Sequence, residues 1–281
     1  MLPTPLHAAP LRLKDTPAAT ALLAQNPSTN IFLLDRLEQR GCRPSSADEW
    51  YGAWLGQDLV AVAVLVGRAA HGSSARIGVV AGSSAGCEAI GVQAQSRGGV
   101  DMLTGPRAPC DALWTGLGAG VPRRQIDQLQ YLTQNPSPGF CLPLRNATSH
   151  DFPLVCAWAA EQAREDLGLD PRQEDAQRHH RVVRARIEEG RVLLGLRDRS
   201  PCFLLEVGTC RVEGVQVGGT YVPPSLRGQG IATAGMRSAA HHLLTKSQTI
   251  SLHVHAMNTS AIHCYVRAGF TPGIPLRLLI R

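Results

Sequence analysis

Arg227-Gly228-Gln229-Gly230-Ile231-Ala232 is the stretch of this sequence whose residue types most plainly offer chemistry. Its two glycines lead into a helical pattern in which Ala232, Met236, Ala239, Ala240 and Leu243 share one face. A helix that opens from a glycine-rich loop presents unpaired backbone N–H groups and the positive end of its dipole. With no Cβ at the glycines, an anion can approach the backbone closely, and a diphosphate is the natural guest. Two phosphate-loop patterns fail. A dinucleotide fingerprint needs a third glycine and an acid roughly 20 residues further on, and residues 244–252 hold no acid. A nucleotide P-loop needs Gly-Lys-Ser/Thr, and the only lysines are Lys14 and Lys246. Further along, Asn258 and Tyr265 stand seven residues apart, two turns along one helix face, and Gly269 falls where a C′ glycine belongs.

Taken in this order and at this separation, the two stretches resemble the signatures of the GNAT superfamily of acyl-CoA-dependent N-acyltransferases. Arg227-x-x-Gly230-x-Ala232 is similar to the loop that grips coenzyme A. Residues 258–270 are similar to the second signature, in which an Asn opens a helix, a Tyr follows and Gly-Phe ends it. The wider layout resembles a bacterial two-domain group of the superfamily with a degenerate N-terminal region, through residues 30–37, 105–114, 165–171 and 218–232.

The resemblance implies an N-acetyltransferase with acetyl-CoA as co-substrate, lying between strands at residues 215–222 and 249–255 that splay apart in this fold. Backbone groups of Tyr221 and Val222 would pair with the pantetheine arm as an added strand does, and the Val222 N–H would face the oxyanion. The N–H groups of Gly228, Gln229, Gly230, Ile231, Ala232 and Thr233 would hold the pyrophosphate, with Arg227 adding charge. Tyr265 is either the general acid for the departing thiolate or a packing residue. Asn258 either touches the pantetheine side or only caps its helix.

An alkylamine with a pKa near 10.4 is only about one part in a few thousand neutral at pH 7, so a base is expected. Glu206, whose apolar flank of Leu204, Leu205 and Val207 would withdraw it from water, is the first choice; Glu213, His253 and His255 are rivals. His253 and His255 share a strand face, but no third ligand is evident, and no metal is expected. The amine acceptor is a small molecule in preference to a protein lysine or N-terminus. The alternative from another class is a non-catalytic acyl-CoA-binding sensor, for which the Arg227 loop serves equally and Tyr265 does not.

These residues need a scaffold, and the chain has room for two domains in its 281 residues. With 44% hydrophobic and 18% charged residues, the composition is that of a globular protein. The net charge of +6 is nearly all arginine, without the basic runs and interleaved aromatics that would point to nucleic acid. Eight cysteines at irregular spacing, most within apolar runs, suggest free thiols and a cytoplasmic protein. No signal peptide and no membrane-length apolar run is evident.

The fold class expected is α/β (α+β), with tandem GNAT-like domains, each a mixed, mostly antiparallel sheet flanked by helices. The Pro-, Asn- and Gly-rich residues 133–143 mark the boundary, giving a degenerate domain over 1–143 and a catalytic domain over 144–281. In the first, helices are expected at 17–25 and, behind an Asn30 cap, at 31–38, with a hairpin of 49–54 and 59–67. A strand at 76–80, a helix at 87–95, a strand at 100–103 and a helix at 108–116 follow. The second offers a strand at 144–148, helices at 151–167 and 172–189, and strands at 191–197 and 202–208 across a turn at 198–201. After the two signatures comes a final strand at 274–280. The turn at 82–86 is glycine-rich but lacks the Arg and the Gly-x-Ala spacing, so the first domain is expected to hold no cofactor.

Overall fold

The computed structural model describes residues 5–43, 45, 48–67, 76–97 and 100–281. The chain divides into two compact units, residues 1–129 with 274–281, and residues 130–273. One order of elements occurs twice. β1 (Leu6–Pro10), α1 (Thr16–Leu23), α2 (Ile31–Arg40), β2 (Asp48–Leu55), β3 (Asp58–Val66), β4 (Ile77–Gly82), α3 (Ser84–Ala94), β5 (Met102–Pro106), α4 (Arg107–Gly116) and β6 (Arg124–Thr133) come first. The repeat is β7 (Leu144–Asn146), α5 (Phe152–Leu167), α6 (Pro171–Glu188), β8 (Val192–Arg197), β9 (Ser200–Cys210), β10 (Val215–Tyr221), α7 (Ile231–Leu243), β11 (Ile250–His255), α8 (Thr259–Arg267) and β12 (Thr271–Ile280).

In the first unit the strand order is β1-β2-β3-β4-β5-β12; in the second, β11-β10-β9-β8-β7 run in succession with β6 beside β11. β4–β5 and β10–β11 are parallel, while β1–β2, β2–β3, β3–β4, β5–β12, β7–β8, β8–β9 and β9–β10 are antiparallel. This is the mixed, mostly antiparallel architecture expected. The helix between the parallel strands is required, since a parallel crossover cannot be made by a tight turn.

The apolar run of β3 is buried on both faces. Ala61, Ala63 and Leu65 meet Cys87 and Ile90 of α3 and Leu113 of α4 on one side, while Val62, Val64 and Val66 meet Leu23, Leu33 and Leu37 of α1 and α2 on the other. In the second unit Val155, Ala159, Val183 and Ile187 of α5 and α6 cover Val192, Leu194, Leu204 and Tyr221. Phe203 lies on the opposite face under α7, so close that a Cβ on Gly235 would stand 2.6 Å from its ring.

The unit boundary differs from the expected one, at both ends. Residues 130–143 go with the second unit: Gln134 donates to Thr249 at 3.0 Å, and the Ser137 N–H donates to the Ala268 carbonyl at 3.0 Å. The end of the chain goes with the first. Leu276–Ile280 pair antiparallel with β5, and Arg277 holds Asp111 at 2.8 and 3.0 Å and also bonds Asp127. Smaller differences concern local chemistry. Asn30 stands at the N-cap of α2 without capping it, since its amide donates to the Leu23 carbonyl at 3.0 Å instead. The β8–β9 turn is only Asp198-Arg199, both at positive φ, so Ser200 and Pro201 already belong to β9.

Candidate active site

The parallel ladder between β10 and β11 covers Val215–Val217 and Ile250–Leu252 and stops there. The cause is on β10. Its pairing with β9 shifts register between Gly218 and Tyr221, and Gly219 at φ +55 lies in that interval. A bulge bends its strand and leaves backbone groups unpaired. Gly219 cannot readily be another residue: an added Cβ would stand 2.7 Å from the Glu206 Cγ.

Beyond Tyr221, residues 222–230 loop over to α7. Gly228 and Gly230 sit at φ +77 and +76, and nothing lies within 4 Å of where a Cβ would be on either. Gly230 is the N-cap of α7, and no side chain caps the helix. The N–H groups of Ile231, Ala232 and Thr233 therefore open α7 toward free space, the arrangement a diphosphate requires. The chain's own residues thus fit the phosphates of an acyl-CoA. Arg227 does not point into that space as a free charge. Its Nη2 bonds both Glu165 oxygens at 2.9 Å, its Nε donates to the Val222 carbonyl at 3.0 Å, and it lies over the Tyr221 ring. It therefore shapes the loop and ties it to the end of α5. Gln229 is held by Arg197 at 2.7 Å.

α8 begins at Asn258, whose side chain accepts from the Ala261 N–H at 3.1 Å, so the capping role is observed. It ends at Gly269, with φ +97, where a Cβ would stand 2.3 Å from the Ser137 nitrogen. Tyr265 is 8% exposed and packs against Phe270. Burial raises its phenol well above the ordinary value, only partly offset by a hydrogen bond with the Thr220 side chain. Thr220 is the next-to-last residue of β10, and its Oγ1 donates to the Met236 Sδ of α7 at 3.9 Å.

The candidate bases separate clearly. Glu206 faces Gly218 across the β9–β10 ladder, directly at the bulge, and its carboxylate is bonded by Arg186 of α6. Glu213 lies before β10 and pairs with Arg211. At about 3.3 Å per strand residue it is roughly 15 Å or more from the bulge. His253 is half-buried; Gln216 lies 3.5 Å from its Nδ1, and burial pushes the imidazole down to about 4. The His255 Nδ1 is occupied by the Met257 N–H at 3.0 Å. Among the described residues no group of three or more His, Cys, Asp or Glu could hold a metal, and no described helix is long and apolar enough to cross a membrane. All eight cysteines are free.

Thr220, Arg186 and Glu165 are the partners that sequence reasoning did not assign to Tyr265, Glu206 and Arg227. They are 45, 20 and 62 positions away along the chain, beyond the reach of any local pattern.

The corresponding place in the first unit is closed. β4 passes into α3 through the single residue Ser83, whose side chain caps the helix by accepting from the Gly86 N–H at 3.2 Å. A Cβ on Gly82 would meet the Val60 carbonyl at 2.4 Å, and one on Gly105 would meet the Val80 carbonyl at 2.7 Å, where the β4–β5 ladder ends.

Comparison with known proteins agrees with this geometry. Residues 152–270 match the family model described as Acetyltransferase (GNAT) family. Among solved structures, an acetyltransferase of the GNAT family from Colwellia psychrerythraea is 15% identical, with a TM-score of 0.56 over 98% of this chain and 99% of that one. A GCN5-related N-acetyltransferase from Sphaerobacter thermophilus is 16% identical, with a TM-score of 0.59 over 99% and 96%. A tandem GNAT protein from the clavulanic acid biosynthesis pathway is 13% identical, with a TM-score of 0.55 over 98% of each chain. At such identities the likeness shows the fold alone. No curated protein matches the sequence.

Proposed function

We propose, from the match of residues 152–270 to the acetyltransferase (GNAT) family model, that the second unit transfers an acetyl group from acetyl-CoA to an amine. The observation that supports the reading is the start of α7, which no side chain caps, beyond the point where the β10–β11 ladder ends. Tyr265, buried on α8, is the proton donor in this reading.

The backbone of Tyr221 and Val222, beyond the end of the β10–β11 ladder, pairs with the pantetheine arm, and the open start of α7 from Gly228 to Thr233 binds the pyrophosphate. The bound thioester supplies an activated carbonyl. Glu206 takes one proton from the incoming ammonium, and the neutral nitrogen forms its bond to the carbonyl carbon as the carbon–sulfur bond breaks. The Val222 N–H lies where negative charge develops on the carbonyl oxygen. Tyr265 gives its proton to the departing sulfur and regains one from the nitrogen, so the products are the amide, the thiol and one proton. Burial keeps the phenol protonated across the neutral range, so its proton is present when the sulfur departs.

Acetyl-CoA-dependent thiol release over a panel of amines, amino acids and lysine peptides tests the reading. Tyr265→Phe is expected to lower kcat by roughly a hundredfold or more with acetyl-CoA affinity unchanged. An unaltered kcat would leave Tyr265 as a packing residue. Acetyl-CoA binding without release from any acceptor would favour an acyl-CoA sensor.

A further inference from the structure

The face of the second unit's sheet that carries α5 and α6 has a polar cluster, of which the reaction above uses only one residue. Gly218 borders it, with nothing within 4 Å of where its Cβ would be. Glu206 stands opposite Gly218 on β9, and Gln216, two residues earlier on the same face of β10, reaches His253. Arg186, near the end of α6, closes the set by bonding the Glu206 carboxylate through Nη1. The two charged side chains differ in access: Glu206 is 13% exposed and Arg186 43%. Among the described residues the Arg186 guanidinium has no second partner, so its remaining N–H donors face outward.

This pairing bears on what can enter. A simple cationic amine meets a carboxylate whose charge is already balanced, and gains little net attraction. A zwitterion can take the place of each partner for the other: its ammonium goes to Glu206 and its carboxylate to the planar guanidinium fork, which binds carboxylates through two parallel bonds. An α-amino acid carries both groups on one carbon, as bridging two adjoining side chains requires. An amine without the carboxylate would also separate Arg186 from Glu206 without replacing its partner, an unpaired-charge cost that discriminates against it.

From this geometry we infer that the acceptor is an α-amino acid, with its amine on Glu206 and its carboxylate on Arg186. The inference rests on the acetyl-transfer reading with Glu206 as base. The amino nitrogen gains the bond to the acyl carbon as the carbon–sulfur bond breaks, one ammonium proton passes to Glu206, and the carboxylate stays bound and unreacted.

The test uses the full chain, acetyl-CoA and thiol release, with each L-α-amino acid measured beside its decarboxylated amine. At least one amino acid is expected to exceed its amine in kcat/KM by roughly 10- to 100-fold, the worth of a charge-assisted hydrogen bond pair. Arg186→Ala should bring that ratio close to one, mainly through KM, and Arg186→Lys should leave an intermediate ratio. Acetyl-CoA affinity and melting temperature, measured alongside, show that each variant is folded. Amines accepted as well as their amino acids, or an Arg186→Ala loss equal for both, would overturn the inference while acetyl transfer stands. No release from either series, with acetyl-CoA bound, would overturn both.

Discussion

Gly230→Asp separates the two things the loop does, folding and anion binding. In the folded protein Gly230 has φ 76 and ψ 2, and no atom lies within 4 Å of its missing Cβ. The substitution therefore meets no clash. Its folding cost is the left-handed backbone alone, about 1 kcal/mol and less for Asp than for most residues. In a unit of this size that lowers the melting temperature by roughly 2–4 °C. Binding is hit much harder. A carboxylate about 4 Å from one diphosphate charge is repelled by about 1 kcal/mol at the dielectric of water and about 4 kcal/mol near a protein surface. Two phosphate charges double this, so the Kd for CoA should rise by roughly thirtyfold at the least. Titration calorimetry with CoA, beside melting curves, measures both quantities. Gly230→Ala should show the same small stability loss with a much smaller binding loss. Salt should narrow the gap between the two variants, because it screens the repulsion. A folded Gly230→Asp protein with a Kd within threefold of the parent would refute placement of a diphosphate at the start of α7.

Two further outcomes follow from the unit boundary and from His253. A fragment of residues 130–273 should fold and bind CoA, whereas a fragment of residues 144–281 should not fold stably, because it lacks the β6 end and the Ser137 segment against Gly269; equal stability in melting curves would refute that assignment. Because burial holds the His253 imidazole at about 4 against an ordinary 6.5, the unfolded chain takes up a proton in that window that the folded chain does not. Stability should therefore fall as pH drops from about 6.5 to 4, by at most about 3.5 kcal/mol, and His253→Gln should flatten the slope. Identical pH dependence in the two proteins would place the imidazole in water.

The chemistry of the second unit was legible where it depends on neighbours in sequence. Glycines before a helix at 228 and 230, a Tyr two turns after an Asn, and Gly269 at a helix end are local patterns, and the chain folds them as local patterns dictate. What was not legible depends on strands that find distant partners. β6 mixes Ile126 and Tyr131 with Gln130 and Thr133, all buried, so it lacks the strict alternation that marks a strand. The final strand reads the same whichever sheet it joins; its ladder with β5 and the Arg277 bonds to Asp111 and Asp127 settle the matter only in three dimensions. Arg227 shows the same limit at one residue. Its type and place suggest a phosphate ligand, and only the fold brings Glu165 to its guanidinium.

The two units show how small a change closes such a site. Both have a parallel pair of strands whose ladder ends after three residue pairs, and both pass from the first strand of that pair into a helix. In the second unit nine residues, 222–230, make the passage, and two glycines with open space above them leave the helix start bare. In the first unit one residue makes it, and that residue, Ser83, satisfies a helix N–H that would otherwise seek an anion. The gap between strands differs in the same direction. At Gly105 the backbone comes so near Val80 that no side chain fits, whereas Gly218 borders empty space. A short, capped passage leaves no bare helix start for a phosphate, and a closed gap leaves no room for an added strand. Each change also stabilises the unit by itself, through a satisfied donor and a filled void. The first unit therefore keeps the order of elements while its helix start is capped by Ser83 and its strand end is closed at Gly105.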